Sequence, residues 1–260
     1  MDLFDYSKLK ENELHPNFRN IIQESRANER ETLNKWIEGF KDRDNKFVHE
    51  FQTTFNSSFW EIYCFAILKE LNYICDFSYS RPDFVLKRDN RIEFFCECTV
   101  SNAPQNGIEE YDIEEKLNPK MSIEESLDLS TIRALNRLKS KKKWYSKNKN
   151  KILNFDDKPF VIAYAPFDQP HFQTSNLGAI MRVLYSYDGC YYERGVYSNS
   201  YKKYISKSEK VDLDLGIFLD NSYEDISGIL FSCVGTWSKV SACTPKSNLY
   251  LSKIDIKGTI

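Results

Sequence analysis

Pro82-Asp83-Phe84-Val85-Leu86-Lys87, then Arg88-Asp89-Asn90, then Ile92-Glu93-Phe94-Phe95-Cys96-Glu97-Cys98-Thr99-Val100, is the stretch on which the fold turns. The first segment suggests a strand beginning at Asp83, the polar triplet a turn, and the third a nearly all-apolar strand. Such a strand belongs in the buried middle of a sheet. In a strand, residues i and i+2 share a face. Glu97 and Thr99 therefore point one way, and Cys96, Cys98 and Val100 the other. A carboxylate in so apolar a strand is costly unless it meets a cation. An internal salt bridge is one way to satisfy Glu97. With Asp83 at the adjacent strand end, a hard divalent cation is another.

Upstream, Phe59, Ile62, Tyr63, Ala66, Ile67 and Leu71 have helical spacing, predicting a helix over 59–71 that carries Glu61. Ser58-Phe59-Trp60-Glu61 also fits a capping box, with Glu61 reaching back to the Ser58 amide. Glu61 is thus either a cap or a third acid of the site, with Glu50 in reserve. Residues 17–41 predict one or two helices, read as an N-terminal extension over 1–45 ahead of a main domain over 46–260. Residues 73–78 suggest a further strand. Downstream come an acidic loop over 104–121, a helix over 130–147 and a strand over 159–165. A helix over 176–187, a Tyr-rich segment over 185–204 and strands over 228–234 and 249–251 follow. This order predicts an α/β fold with a mixed central sheet flanked by helices.

Charge is unevenly placed. Net charge is −2, so no global field attracts polyanions. Glu109, Glu110, Asp112, Glu114, Glu115, Glu124, Glu125 and Asp128 form an acidic run. Arg133, Arg137, Lys139, Lys141, Lys142, Lys143, Lys147, Lys149 and Lys151 form a basic one. The basic run is either a solvated helix face or a surface that tracks phosphates. Ala134, Leu135, Leu138 and Tyr145 set that helix's apolar stripe, and Lys142 falls inside it. Lys142 would suit Glu97 as a partner, unless these lysines simply snorkel over apolar surface. Gly235-Thr236-Trp237-Ser238-Lys239 is read as a plain turn.

Several function classes drop out. The sequence has no GxxxxGK or GxGxxG motif, so no nucleotide loop is expected. Its seven cysteines form no CxxC pair, which argues against a zinc site and for reduced thiols in a cytoplasm. No signal peptide or membrane-length apolar run is present.

Pro82-Asp83 and Glu97-Cys98-Thr99, preceded by a helix bearing Glu61, resemble the PD-(D/E)XK, or restriction-endonuclease-like, nuclease superfamily. The stretch Glu50 to Glu61 also resembles a group of uncharacterised prokaryotic proteins with that core. The resemblance covers residues 47–165 at most. It implies a metal-dependent nuclease in which Asp83 and Glu97, assisted by Glu61, bind Mg²⁺ or Mn²⁺. DNA is the expected substrate, and defence against phage or plasmids, alone or with a protein partner or as a homodimer, follows by analogy. The family's motif lysine is replaced here by Thr99, which cannot supply a cation. The resemblance therefore implies Lys142 or Lys139 as substitutes, with Arg133, Arg137, Lys141 and Lys143 gripping nucleic acid. The alternative is an inactive module of the same fold that binds nucleic acid or protein.

Overall fold

The computed structural model describes residues 1–104, 107–149, 158–208 and 211–245. The chain opens with two short helices, α1 (Pro16–Ile21) and α2 (Ala27–Trp36), then α3 (Phe47–Thr53) and α4 (Asn56–Glu70). Strands β1 (Ile74–Cys75), β2 (Phe84–Arg88) and β3 (Arg91–Asn102) follow, then α5 (Ile113–Leu117) and α6 (Ile123–Asn148). After β4 (Phe160–Phe167) and α7 (Phe172–Tyr185), four strands form two hairpins: β5 (Tyr187–Glu193) with β6 (Val196–Tyr201), and β7 (Tyr204–Ser208) with β8 (Val211–Asp214). Strand β9 (Gly228–Phe231) and α8 (Trp237–Cys243) close the described chain.

The central sheet has the order β1-β2-β3-β4-β9. The β1/β2 and β2/β3 pairs are antiparallel, and the β3/β4 and β4/β9 pairs are parallel. The expected mixed α/β architecture is therefore present. Alternation along β3 assigns its two faces. Cys96, Cys98 and Val100 pack with Trp60, Cys64, Phe65 and Leu68 of α4. Phe95 packs with Ala134, Leu135 and Leu138 of α6, in a cluster that includes Ile180 and Val183 of α7. Trp60 is fully buried, and its indole N–H donates to the Ala163 carbonyl at 3.0 Å. A third cluster joins Leu3, Phe18, Ile21 and Leu33 to Phe51, Phe55, Phe59 and Ile62, so the first forty residues pack on α3 and α4.

Differences from the sequence reading have local causes. Helix α6 starts seven residues earlier than expected, because Ser122 caps it. Ser122 Oγ accepts from the Glu125 amide at 3.2 Å, and the Glu125 carboxylate accepts from the Ser122 amide at 2.9 Å. Part of the acidic run is thus the first turns of α6, where Glu124 and Glu125 suit the helix dipole. Glu124 and Asp128 then pair with the buried Arg182, which also binds Asp188. Residues 113–117 of the expected acidic loop are helical as α5. The expected first strand shrinks to two residues, and Trp237 and Ser238 of the expected turn open α8. The Tyr-rich segment is the β5/β6 hairpin. The strand predicted over 249–251 lies outside the described residues.

His15 caps α1, with its Nδ1 accepting from the Asn17 amide at 3.2 Å. Its ring stacks on Phe55 and meets Tyr111 edge-on. Burial, then the Arg19 charge, pulls its pKa from 6.5 down to about 4. Below pH 6.5 the unfolded chain takes up this proton and the folded one does not until about pH 4. Stability supplied by neutral His15 is therefore present above pH 6.5 and lost as pH falls through this window, by about 3 kcal/mol in all. His15→Asn keeps an acceptor at the cap and removes the titration. Urea midpoints at pH 7.5 and 4.5 should show wild type losing about 3 kcal/mol more than the variant; equal losses would refute the linkage.

Candidate active site

Asp83 ends the approach to β2, and Glu97 lies in the buried middle of β3. The two strands run antiparallel with Phe84 opposite Cys96, so the acids meet at one end of the pair. Backbone amides across the strand pair fix both carboxylates. Asp83 Oδ2 accepts from the Cys98 amide at 2.7 Å, and Glu97 Oε2 accepts from the Asp83 amide at 3.3 Å. Glu97 is 3% exposed, so a counter-charge is obligatory. Lys141 of α6 supplies it, its Nζ standing 2.7 Å from Glu97 Oε1. Arg43 lies 3.6 Å from Asp83 Oδ1 and donates to the carbonyls of Tyr79 and Pro82 at 3.0 and 2.9 Å. Glu61 of α4 faces the same cleft, of about 580 Å³, whose walls also include Glu50, Thr99 and Arg137.

Three carboxylates in one cleft repel. Burial first, then the Glu97 charge, pushes the Asp83 pKa up to about 6, with Lys141, the Cys98 amide and Arg43 acting the other way. Burial, then Asp83, raises Glu61 well above the ordinary carboxylate range. For Lys141, burial acts downward, but the charges of Glu97 and Asp83 outweigh it and lift its pKa. The raised pKa favours the neutral form of Glu61, and Arg43 and Lys141 stand against the charges of Asp83 and Glu97.

This donor set is all hard oxygen, the chemistry that Mg²⁺ and Mn²⁺ take. Among the described residues no three acids or other metal-binding side chains converge as a ready-made ligand set. Mg²⁺ ordinarily needs only one or two carboxylates, the rest coming from water and substrate phosphate. Asp83 and Glu97 meet that requirement, so the residues fit the ion in chemistry and number.

The chain matches no family model, no curated protein and no solved structure. The site therefore stands on its own geometry.

That geometry revises several sequence assignments. Helix α4 begins at Asn56 after Phe55, so Ser58 is already helical and the capping-box role of Glu61 falls away. Lys142 does not reach Glu97. It sits 5.4 Å from the Tyr223 ring centroid, while Tyr145 carries the apolar stripe at this end of α6 onto Phe160 of β4. Lys139 is exposed on the outer face of α6 and does not line the cleft. Lys141, expected on a nucleic-acid surface, is the cation of the acid pair. Arg133 is not a surface contact either: it donates to the backbone carbonyl of Asp168 at 2.6 Å and to its carboxylate at 3.2 Å. Asp168 is fully buried, so Arg133 is held inside the fold. Arg137 and Lys143 remain exposed, and Arg137 borders the cleft. Glu50 is exposed at its edge. Arg43 was missed; its only sequence signal is a basic residue within the polar break Asp42-Arg43-Asp44-Asn45.

Proposed function

We propose that the protein is a divalent-metal-dependent nuclease of the PD-(D/E)XK kind, acting on phosphodiester bonds, with DNA as the first substrate to test. The observation that carries this reading is the contact between Lys141 and Glu97 beside Asp83. It places a cation from α6 where Thr99 lacks one. Asp83 and Glu97 would hold Mg²⁺ or Mn²⁺, with Glu61 available on the facing helix. A bound divalent ion would supply Lewis-acid activation of water and neutralise phosphate charge. Lys141 holds a proton-bearing ammonium against the acid pair, positioned to meet a phosphate oxygen. Arg43 fixes the loop that delivers Asp83, and Arg137 adds positive charge at the rim.

A second reading is favoured by one observation: Arg43 and Lys141 already pair with Asp83 and Glu97. The cleft would then be an ion network in a nucleic-acid- or protein-binding module, with no chemistry.

The deciding experiment is cleavage of supercoiled, linear and single-stranded DNA and of RNA with Mg²⁺ or Mn²⁺. Wild type should cleave at least one substrate. Asp83→Asn and Glu97→Gln should each lower the rate by about 10²–10³-fold or more. Wild type inert on every substrate, with no metal-induced thermal shift, would support the binding module. Cleavage surviving in both variants would reject the assigned site.

A further inference from the structure

A second cavity, of about 210 Å³, lies beside the cleft and is walled by Phe55, Phe59, Tyr111 and Phe172. Glu110 and Trp237 also line it. Glu110 is 5% exposed. Its Oε1 accepts from the side-chain amides of Asn17 and Asn56, each at 3.0 Å. Its Oε2 is buried and has no hydrogen-bond partner among the described residues, and the same holds for the indole N–H of Trp237. Buried polar atoms are nearly always partnered, and each orphan here is costly. One is a strong acceptor, the other an obligate donor, and both residues line the same cavity, whose aromatic rings alternate with polar side chains such as Asn20, Lys116 and Gln173.

A ligand that satisfies both and lies against Phe55, Phe59, Tyr111 or Phe172 has a flat body with polar edges. It must offer N–H donors to the carboxylate and an acceptor to the indole. The cavity is smaller than the roughly 300–1,000 Å³ of drug-sized pockets, so it suits a single ring system. Guanine meets these conditions. Its N1–H and N2–H donors share one edge, O6 and N7 are acceptors, and its faces stack on aromatic rings. Adenine would turn its N1 lone pair toward the carboxylate. A water could satisfy either orphan, but it would leave the aromatic walls without a partner.

We propose that this cavity is a binding site for a guanine-type heterocycle, held by the Glu110 carboxylate and the Trp237 indole N–H between aromatic side chains. Asn56 ties it to the cleft: its amide reaches Glu110 and, at 3.3 Å, Asn102, which lines the cleft wall. The site stands whether or not the cleft cleaves, because its ligand is held by different residues.

The test is calorimetric titration of the full chain, without metal, with guanosine, inosine, adenosine and cytidine. Guanosine should bind saturably, with inosine weaker and adenosine at least tenfold weaker. Glu110→Gln and Trp237→Phe should each weaken guanosine at least tenfold. In parallel, the Trp237 indole N–H resonance, assigned through its loss in Trp237→Phe, should move downfield on guanosine addition, a readout that needs no other variant to fold. No saturable guanosine binding by wild type up to millimolar concentration would overturn the proposal. So would equal affinity for adenosine, or an unmoved indole resonance.

Discussion

Lys141→Met should lower metal-dependent cleavage by about 10²–10³-fold, while Lys142→Met, one residue on, should change it less than threefold. The contrast rests on direction. Lys141 reaches Glu97 at 2.7 Å, whereas Lys142 lies over Tyr223. A second readout separates a role in chemistry from a merely structural one. The Lys141 ammonium repels a dication at Asp83 and Glu97, so its removal should tighten Mn²⁺ binding while the rate falls. Opposite movement of affinity and rate is not what a loosened fold produces. If Lys141→Met weakens Mn²⁺ binding and rate together, or if Lys142→Met is equally damaging, the assignment of Lys141 fails.

Trp60→Ala should destabilise the protein by about 3–5 kcal/mol, the range for removing a large aromatic from a packed core. Trp60 is fully buried between α4 and the sheet, stacks on Tyr63 with ring centroids 5.6 Å apart, and donates to the Ala163 carbonyl. Truncation leaves both a cavity and a lost hydrogen bond. Trp60→Phe keeps most of the volume and should cost less than half as much. Urea melts of both variants give the comparison. A Trp60→Ala loss below about 1.5 kcal/mol would mean that α4 repacks against the sheet without its anchor.

What the sequence disclosed follows from how far each signal travels along the chain. Glu97 stands out because a charge inside Phe94-Phe95-Cys96-Glu97-Cys98 violates the local pattern, and Asp83 because Pro82 and a strand flank it. Both are one-segment signals, and the structure places the two acids together. Helix α6 was visible from its stripe, but not its start. Ser-x-x-Glu occurs at the start of both α4 and α6, at 58–61 and 122–125, and only tertiary packing decides that the second is the cap. Choosing among adjacent lysines needs the angle at which α6 crosses the sheet. Periodicity places Lys142 within the apolar stripe. It does not say that Tyr145 takes the sheet side there, on Phe160, and leaves Lys142 over Tyr223. Arg43 was hard to read because it lies forty residues from Asp83, and its other partners, the carbonyls of Tyr79 and Pro82, are backbone atoms with no sequence signature.

The described helices include none long and apolar enough to cross a membrane. The basic run along α6 and its C-cap also divides by environment: Arg133 pairs with Asp168, Lys141 with Glu97 and the C-cap Lys149 with Asp225. Arg137, Lys139, Lys143 and Lys147 remain exposed, a smaller positive surface than the run in the sequence suggests.

The cleft is also ordered in time. During synthesis Arg43 emerges first, then Glu61, Asp83 and Glu97, and Lys141 last. At roughly 5–20 residues per second, a growing chain carries the acid pair for seconds before its lysine exists. The parallel β3/β4 pairing, with Glu97 beside Ile162, comes later still, and such non-local pairings form slowly. Fragments broken off before α6 therefore lack the lysine that completes the cleft. A cell making this protein therefore meets the completed cleft only after α6 and β4 have left the ribosome.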